Sequence, residues 1–201
     1  SFVYDSSKLK QPPQSLKELV ERNDLKIIYE DPRTSTPGQG LLLWVKQVYG
    51  DKAPAAWEQL AKKTVTVTKG WSEAYGMFLK GQSDLVLSYT TSPAYHRLAE
   101  HNLQYRAALF SEGHVRQVEV AGQLKNAAQP KLAQQFMQFM LTERFQNLIP
   151  EGNWMYPVTN VTLPKDFNQN ETPAKTLSVD AKKLGTQRKV WVKEWLQAVS
   201  H

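Results

Sequence analysis

The sequence pattern predicts an α/β fold wound about a largely parallel sheet. One event, repeated three times, carries that prediction. Residues 25–30 are apolar and lead into the hydroxyl-rich loop 31–38. Residues 64–68 alternate Thr and Val and lead into Lys69-Gly70-Trp71. Residues 84–87 lead into Tyr89, Thr90, Thr91 and Ser92. Each loop then opens a helical pattern, and strands alternating with helices imply crossover connections and parallel pairing. In such a sheet a small ligand sits beyond the carboxyl ends of the strands, where these three loops would gather.

Taken in order, Phe2-Val3-Tyr4 reads as a short strand. Ser15, followed three residues later by Glu18, is a capping box that opens a helix running to about Glu21. After the strand at 25–30, a helix starting near Pro37 carries Leu41, Trp44, Val45 and Val48 at i, i+3, i+4 and i+7. A second helix over about 54–62 repeats the pattern with Ala53, Ala56, Trp57, Leu60 and Ala61. Ser72 is the expected cap of the helix after the 64–68 strand. Ser92 is the expected cap of the next, with Pro93 at the first helical position, where proline is tolerated.

Beyond Phe110 the texture changes. Residues 115–121 alternate as a strand with one covered face. Residues 130–141 form an amphipathic helix with Leu132, Phe136, Phe139 and Met140 in register, and Thr142 caps a shorter helix over 143–148. Gly152-Asn153-Trp154-Met155-Tyr156-Pro157 is an aromatic turn, and 160–181 reads as a polar, proline-broken surface excursion. A last helix over 186–199 places Val192, Trp195, Leu196 and Val199 on one face.

A chain of 201 residues buries a real core as one large domain or two small ones. With 41% apolar and 22% charged residues its composition is globular. It contains no cysteine, which excludes disulfides, thiolate metal sites and cysteine nucleophiles. The net charge of +6 raises anionic partners. However, Lys8, Lys10, Lys17, Lys46, Lys62 and Lys63 are scattered rather than packed in a stripe with aromatics, so a basic solvated surface is expected rather than a nucleic-acid site. The opening Ser1-Phe2-Val3-Tyr4-Asp5 reads as entry in mid-strand, the mark of a processed or shortened chain.

Signals for catalysis are weak. There is no GxSxG, Walker A, HExxH or GxGxxG pattern, and His96, His101, His114 and His201 have no nucleophile at a known spacing. Asp31 and Glu73 are the carboxylates an enzymatic reading would use, but loop carboxylates more often cap helices or stay solvated. No cluster has metal-ligand spacing. The aromatics carry more information. Trp44, Trp57 and Trp195 fall on core faces by register, whereas Trp71, Tyr89, Tyr95 and Trp154 fall on loops or element ends. Aromatic faces beside hydroxyls and helix N-termini suit a ligand with a flat ring, a positive charge and a phosphate.

The runs DPRTSTPG, TVTVTKGWSEAYG, SDLVLSYTTSPAYH and GNWMYPV resemble the thiamine-binding periplasmic proteins of bacterial thiamine ABC importers, over essentially the whole chain. The resemblance implies a type II periplasmic binding protein-like fold. Residues 1–112 would be the second lobe, 113–171 the return strand and helices belonging with the first lobe, and 172–201 a C-terminal helical segment. It implies a periplasmic solute-binding component without enzymatic activity, cofactor or metal. Such a component closes on thiamine, thiamine monophosphate or thiamine diphosphate and delivers it to an inner-membrane permease. It further implies ligand contacts from Ser35, Thr36, Trp71, Tyr89, Thr90, Thr91 and Ser92, with Tyr95 and Trp154 as aromatic walls.

Members of that family begin with a signal peptide and most of a first lobe, which adds acidic and glycine ligand positions. This chain is therefore expected to hold about one face of the cleft, with apolar surface around 136–140 exposed or engaged in self-association. Two rivals stand beside this reading. One is a binder of the same fold for another small cationic or anionic solute; an iron binder is disfavoured by the lack of a tyrosine pair with acidic neighbours. The other is a wound α/β enzyme using Asp31 or Glu73.

Overall fold

The computed structural model describes residues 1–167, 169 and 172–200. Asn168, Asn170, Glu171 and His201, and with them the expected boundary at 171/172, lie outside the described residues. Among the described residues the main sheet has five strands: β1 (Phe2–Asp5), β2 (Ile27–Glu30), β3 (Thr64–Thr68), β4 (Leu85–Leu87) and β5 (Tyr105–Ala108). Their spatial order is β3-β2-β4-β1-β5. β2 is parallel to β3 and β4, while β1 runs antiparallel to β4 and β5. The carboxyl ends of β2 to β5 therefore lie along one edge. The start of β1 joins them there, since Phe2 pairs with both Leu87 and Ala108.

Central strands buried on both faces read as continuous apolar runs, which explains IIY and LVL. Strand alternation divides the core. Phe2, Tyr4, Ile27, Tyr29, Leu85 and Leu87 face one layer, built from α1 (Leu16–Glu21), α2 (Thr36–Tyr49), α3 (Ala53–Lys63) and α9 (Ala181–Val199). Val3, Ile28 and Val86 face Ala74, Tyr75 and Phe78 of α4 (Trp71–Leu79). α5 (Ser92–Ala99) follows β4. Trp44, Trp57 and Trp195 are all core residues, as their registers predict.

The helix ends explain several positions. Ser15 caps α1 by accepting from the Glu18 amide at 2.9 Å, but the Glu18 carboxylate takes the Gln14 amide rather than that of Ser15. At the other end of α1, the buried Lys63 ammonium donates to the carbonyls of Leu19, Val20 and Arg22, closing orphan acceptors of that helix.

Several expectations are corrected. Ser72 does not cap α4; Gly70 occupies the cap and Trp71 begins the helix. Ser92 lies inside α5, with Thr91 at the cap, because the Ser92 hydroxyl is drawn back to Ser88. Of the expected strand at 115–121 only Val115 is extended, as the end of β6 (His114–Val115), which pairs with β7 (Thr176–Leu177). Alternation alone does not hold a strand without a neighbour to complete its ladder.

α9 starts earlier than its apolar face suggests, because Asp180 caps it by accepting from the Lys182 and Lys183 amides. It buries Trp191, Trp195 and Ala198 and leaves Leu196 exposed. The expected surface excursion at 160–181 is tied down at Phe167, which is buried. Arg97 of α5 donates to the Asp166 and Phe167 carbonyls.

α6 (Pro130–Met140), α7 (Glu143–Gln146) and α8 (Ile149–Gly152) form a separate run. α6 buries none of its residues; Leu132 is 62% exposed, Phe136 is 54% exposed, and Phe136, Phe139 and Phe145 cluster their rings. No described helix is long and apolar enough to cross a membrane.

Candidate ligand-binding site

The three hydroxyl and aromatic loops meet at the carboxyl edge of the sheet, as parallel winding requires. After β2 the chain turns through Asp31, whose carboxylate takes a two-pronged grip from Arg33 (3.0 and 2.6 Å). That grip holds the Asp31 carboxyl below the usual carboxylate range. Ser35, buried, is the cap position of α2, and Thr36, exposed, is its first residue. The loop reaches β3 through Thr34, whose hydroxyl donates to the Lys69 carbonyl at 2.7 Å.

Trp71 crosses the centre of this edge. It leaves the N-terminus of α4, beyond β3, and its indole N–H donates to Ser88 Oγ at 2.7 Å, beyond β4. Because β2 lies between β3 and β4, the indole spans the end of β2. One face stacks on Tyr75 at 4.9 Å, and the residue stays 38% exposed. Ser88 Oγ bonds Ser92 Oγ at 2.7 Å, and Ser92 Oγ accepts the Tyr89 amide at 3.2 Å.

Behind this, the Tyr75 hydroxyl bonds His96 Nε2, and His96 Nδ1 bonds Glu100, which fixes α4 against α5. Tyr95 packs edge-on against Trp154 at 5.3 Å, and Thr91 Oγ1 meets Met155 Sδ at 3.8 Å, so the aromatic turn docks on the start of α5. Trp154 itself has φ of 54°, a left-handed conformation costing a non-glycine residue on the order of 1–2 kcal/mol. Such strain concentrates where a side chain must be held in place.

Trp71, Tyr89, Thr91, Ser92, Tyr95 and Trp154 are thus joined in one network, with Thr90 between Tyr89 and Thr91. Ser35 and Thr36 belong to the neighbouring loop after β2. Asp31 and Glu73 are engaged structurally: Asp31 with Arg33, Glu73 accepting from the Lys69 amide at 3.4 Å. Three participants escape a reading by motif. Ser88 extends the inward alternation of β4 beyond its apolar run, a signal available in the period-two pattern. Gln117 donates to the Tyr89 hydroxyl at 3.2 Å from a segment without regular structure, and nothing local announces it. Glu30, the last residue of β2, is fully buried with no hydrogen-bond partner on either carboxylate oxygen, and burial pushes its pKa up to about 8.

The family model for "Bacterial extracellular solute-binding protein" matches residues 2–151. The chain belongs to this family. Among curated members of these extracellular solute-binding proteins, the thiamine-binding periplasmic protein of Escherichia coli K12 is 64% identical over 201 residues, all of this chain and 62% of the relative. That of Haemophilus influenzae Rd is 48% identical over 97% of this chain and 59% of the relative. The chain therefore spans about 62% of the length of the E. coli relative it matches.

A solved periplasmic thiamin binding protein superimposes with a TM-score of 0.98 at 64% identity, covering 100% of this chain and 64% of that one. The periplasmic binding protein AfuA of Actinobacillus pleuropneumoniae superimposes with a TM-score of 0.81 at 19% identity, covering 98% and 65%, and shares the fold alone. The α/β fold of this solute-binding chain is of the type II periplasmic binding protein kind.

Proposed function

We propose that this protein is the periplasmic solute-binding component of an ABC importer. It takes thiamine or its phosphates into the cleft at the carboxyl edge of its sheet and passes them to a membrane permease without chemical change. The observation that carries this reading is the aromatic and hydroxyl network around Trp71, in a chain 64% identical to a protein named for thiamine binding. The thiazolium cation and the pyrimidine ring pack on Trp71, Tyr95 and Trp154, each contact contributing roughly 0.5–2 kcal/mol. A phosphate, when the ligand carries one, accepts from hydroxyls and amides at Ser35-Thr36 and Thr90-Thr91-Ser92. Tyr89, tethered by Gln117, closes the side of the cleft next to the hydroxyl loop. Lobe closure excludes water, and the permease reads the closed form.

The test is calorimetric titration with thiamine, thiamine monophosphate and thiamine diphosphate. Saturable one-site heat is expected. Trp71→Ala should weaken binding by about two- to thirtyfold, the loss of one aromatic wall. Unchanged affinity in Trp71→Ala would remove the aromatic wall from the mechanism. If none of the three ligands binds, the ligand is another small cationic or anionic solute.

A further inference from the structure

We propose that Glu30 is the counter-charge of the cleft: its carboxyl, buried at the end of the strand that the Trp71 indole spans, gives up its proton to solvent when a cationic ligand settles on the aromatic cluster. This rests on the reading of the cleft as a site for a cation. The geometry starts from strand alternation. Ile28 faces α4, so Glu30, two residues on, faces the same way. Glu30 pairs in register with Thr68 of β3; continuing the Ile28–Val86 register places Ser88 on its other side.

The 2.7 Å bond from Trp71 to Ser88 spans the end of β2, the strand that carries Glu30, and the Glu30 carboxyl is fully buried with no hydrogen-bond partner on either oxygen. A buried carboxyl with no side-chain donor is held neutral, because the charged form loses its hydration and its own backbone N–H and the Ser1 amine offset only part of that loss. Burial accordingly pushes its pKa up to about 8. A cation resting on the outer face of Trp71 reverses that balance. The O–H bond breaks, the proton leaves to the buffer, and the carboxylate offsets the ligand's charge.

The charged and titratable groups on the surrounding elements are otherwise committed or distant in role. Arg33 is bound to Asp31 in the loop that follows, and Glu73 accepts from the Lys69 amide at the start of α4. The Tyr75, His96 and Glu100 side chains bond one another behind. Tyr89 lies within electrostatic reach of Glu30, and its hydroxyl is taken by Gln117. The Ser1 amine acts on Glu30 and is itself bound to the Ser88 carbonyl. Where a chain continues before Ser1 that amine becomes a neutral amide, so the test uses the protein at the full length of its relatives.

Thiamine is titrated by calorimetry in two buffers of different ionisation enthalpy, from pH 6 to 8, into wild type and Glu30→Gln. Gln is isosteric with the neutral acid, so the fold is kept; a thermal melt checks this. Wild type should release close to one proton near pH 7, with affinity rising about tenfold per pH unit below pH 8. Glu30→Gln should release none, and its affinity should stay flat. Flat wild-type affinity, or proton release unchanged by the substitution, overturns the role of Glu30 and leaves thiamine binding standing. Absence of thiamine heat in wild type overturns both readings.

Discussion

Glu30 also makes a prediction that needs no ligand. Its carboxyl is pushed up to about 8 by burial, whereas in the unfolded chain it titrates near the ordinary value for Glu. Between those two values the unfolded state has released the proton and the folded state still holds it. Stability from this group is therefore fully present below the unfolded value and is lost as pH rises towards 8. Glu30→Gln has no proton to lose. Urea denaturation at pH 5 and pH 8 should show wild type losing up to a few kcal/mol relative to the variant over that range. Parallel pH profiles would mean that the folded protein solvates or pairs this carboxylate. The residue beside it, Ser88, is small for a reason: Trp71 and Ser92 both bond its hydroxyl, and a larger side chain would part the indole from β4.

At the scale of the element, the first turn of α2 is set against the end of β2 with no room for a side chain. A Cβ at Gly38 would come within 2.3 Å of the Glu30 carbonyl oxygen and 2.8 Å of the Asp31 carbonyl carbon, both rigid backbone. Gly38→Ala is expected to destabilise by about 1–3 kcal/mol or more and to move Ser35 and Thr36, weakening ligand binding with it. Gly40, two residues on, has nothing within 4 Å of its would-be Cβ, so Gly40→Ala should be neutral or stabilising by up to ~1 kcal/mol. Thermal melts of the two variants check the contrast; equal effects would show that α2 shifts freely on β2.

Elements of this kind were legible where local pattern and burial agree: the apolar strands, α2 and α3, and the loops between them. They were not legible where a distant partner decides. Ser92 has every local mark of a cap, yet its hydroxyl is recruited by Ser88. Residues 116–121 alternate like a strand but find no ladder. Glu30 looks like an ordinary strand-end acid until its complete burial without a partner is known. Placement on loops and element ends already groups Trp154 with Tyr95, but their edge-on contact across 59 positions is not legible locally, since no local rule links an irregular turn to a helix start.

At the scale of the whole molecule, the chain's last helix bears on the candidate ligand edge formed by its first half. Trp195 of α9 is 2% exposed, lies in the same core as α2 and α3, and donates its indole N–H to the Tyr29 hydroxyl at 3.2 Å. The Arg33 guanidinium lies 5.6 Å from the centre of the same ring while gripping Asp31. One side chain thus supports β2 from below and orients the loop that carries Ser35 and Thr36. Trp195→Ala removes a large buried ring, a change that costs about 3–5 kcal/mol, on the order of 10 °C in melting temperature for a chain of this size. Beyond the stability loss, Arg33 loses its platform, so the first hydroxyl loop should loosen. The expected signature is a larger loss of affinity for a phosphorylated ligand than for thiamine itself, measured well below the variant's melting temperature. Equal losses for both ligands would mean that α9 stabilises the sheet without orienting the loop. Unchanged affinity for both would confine its influence to the core.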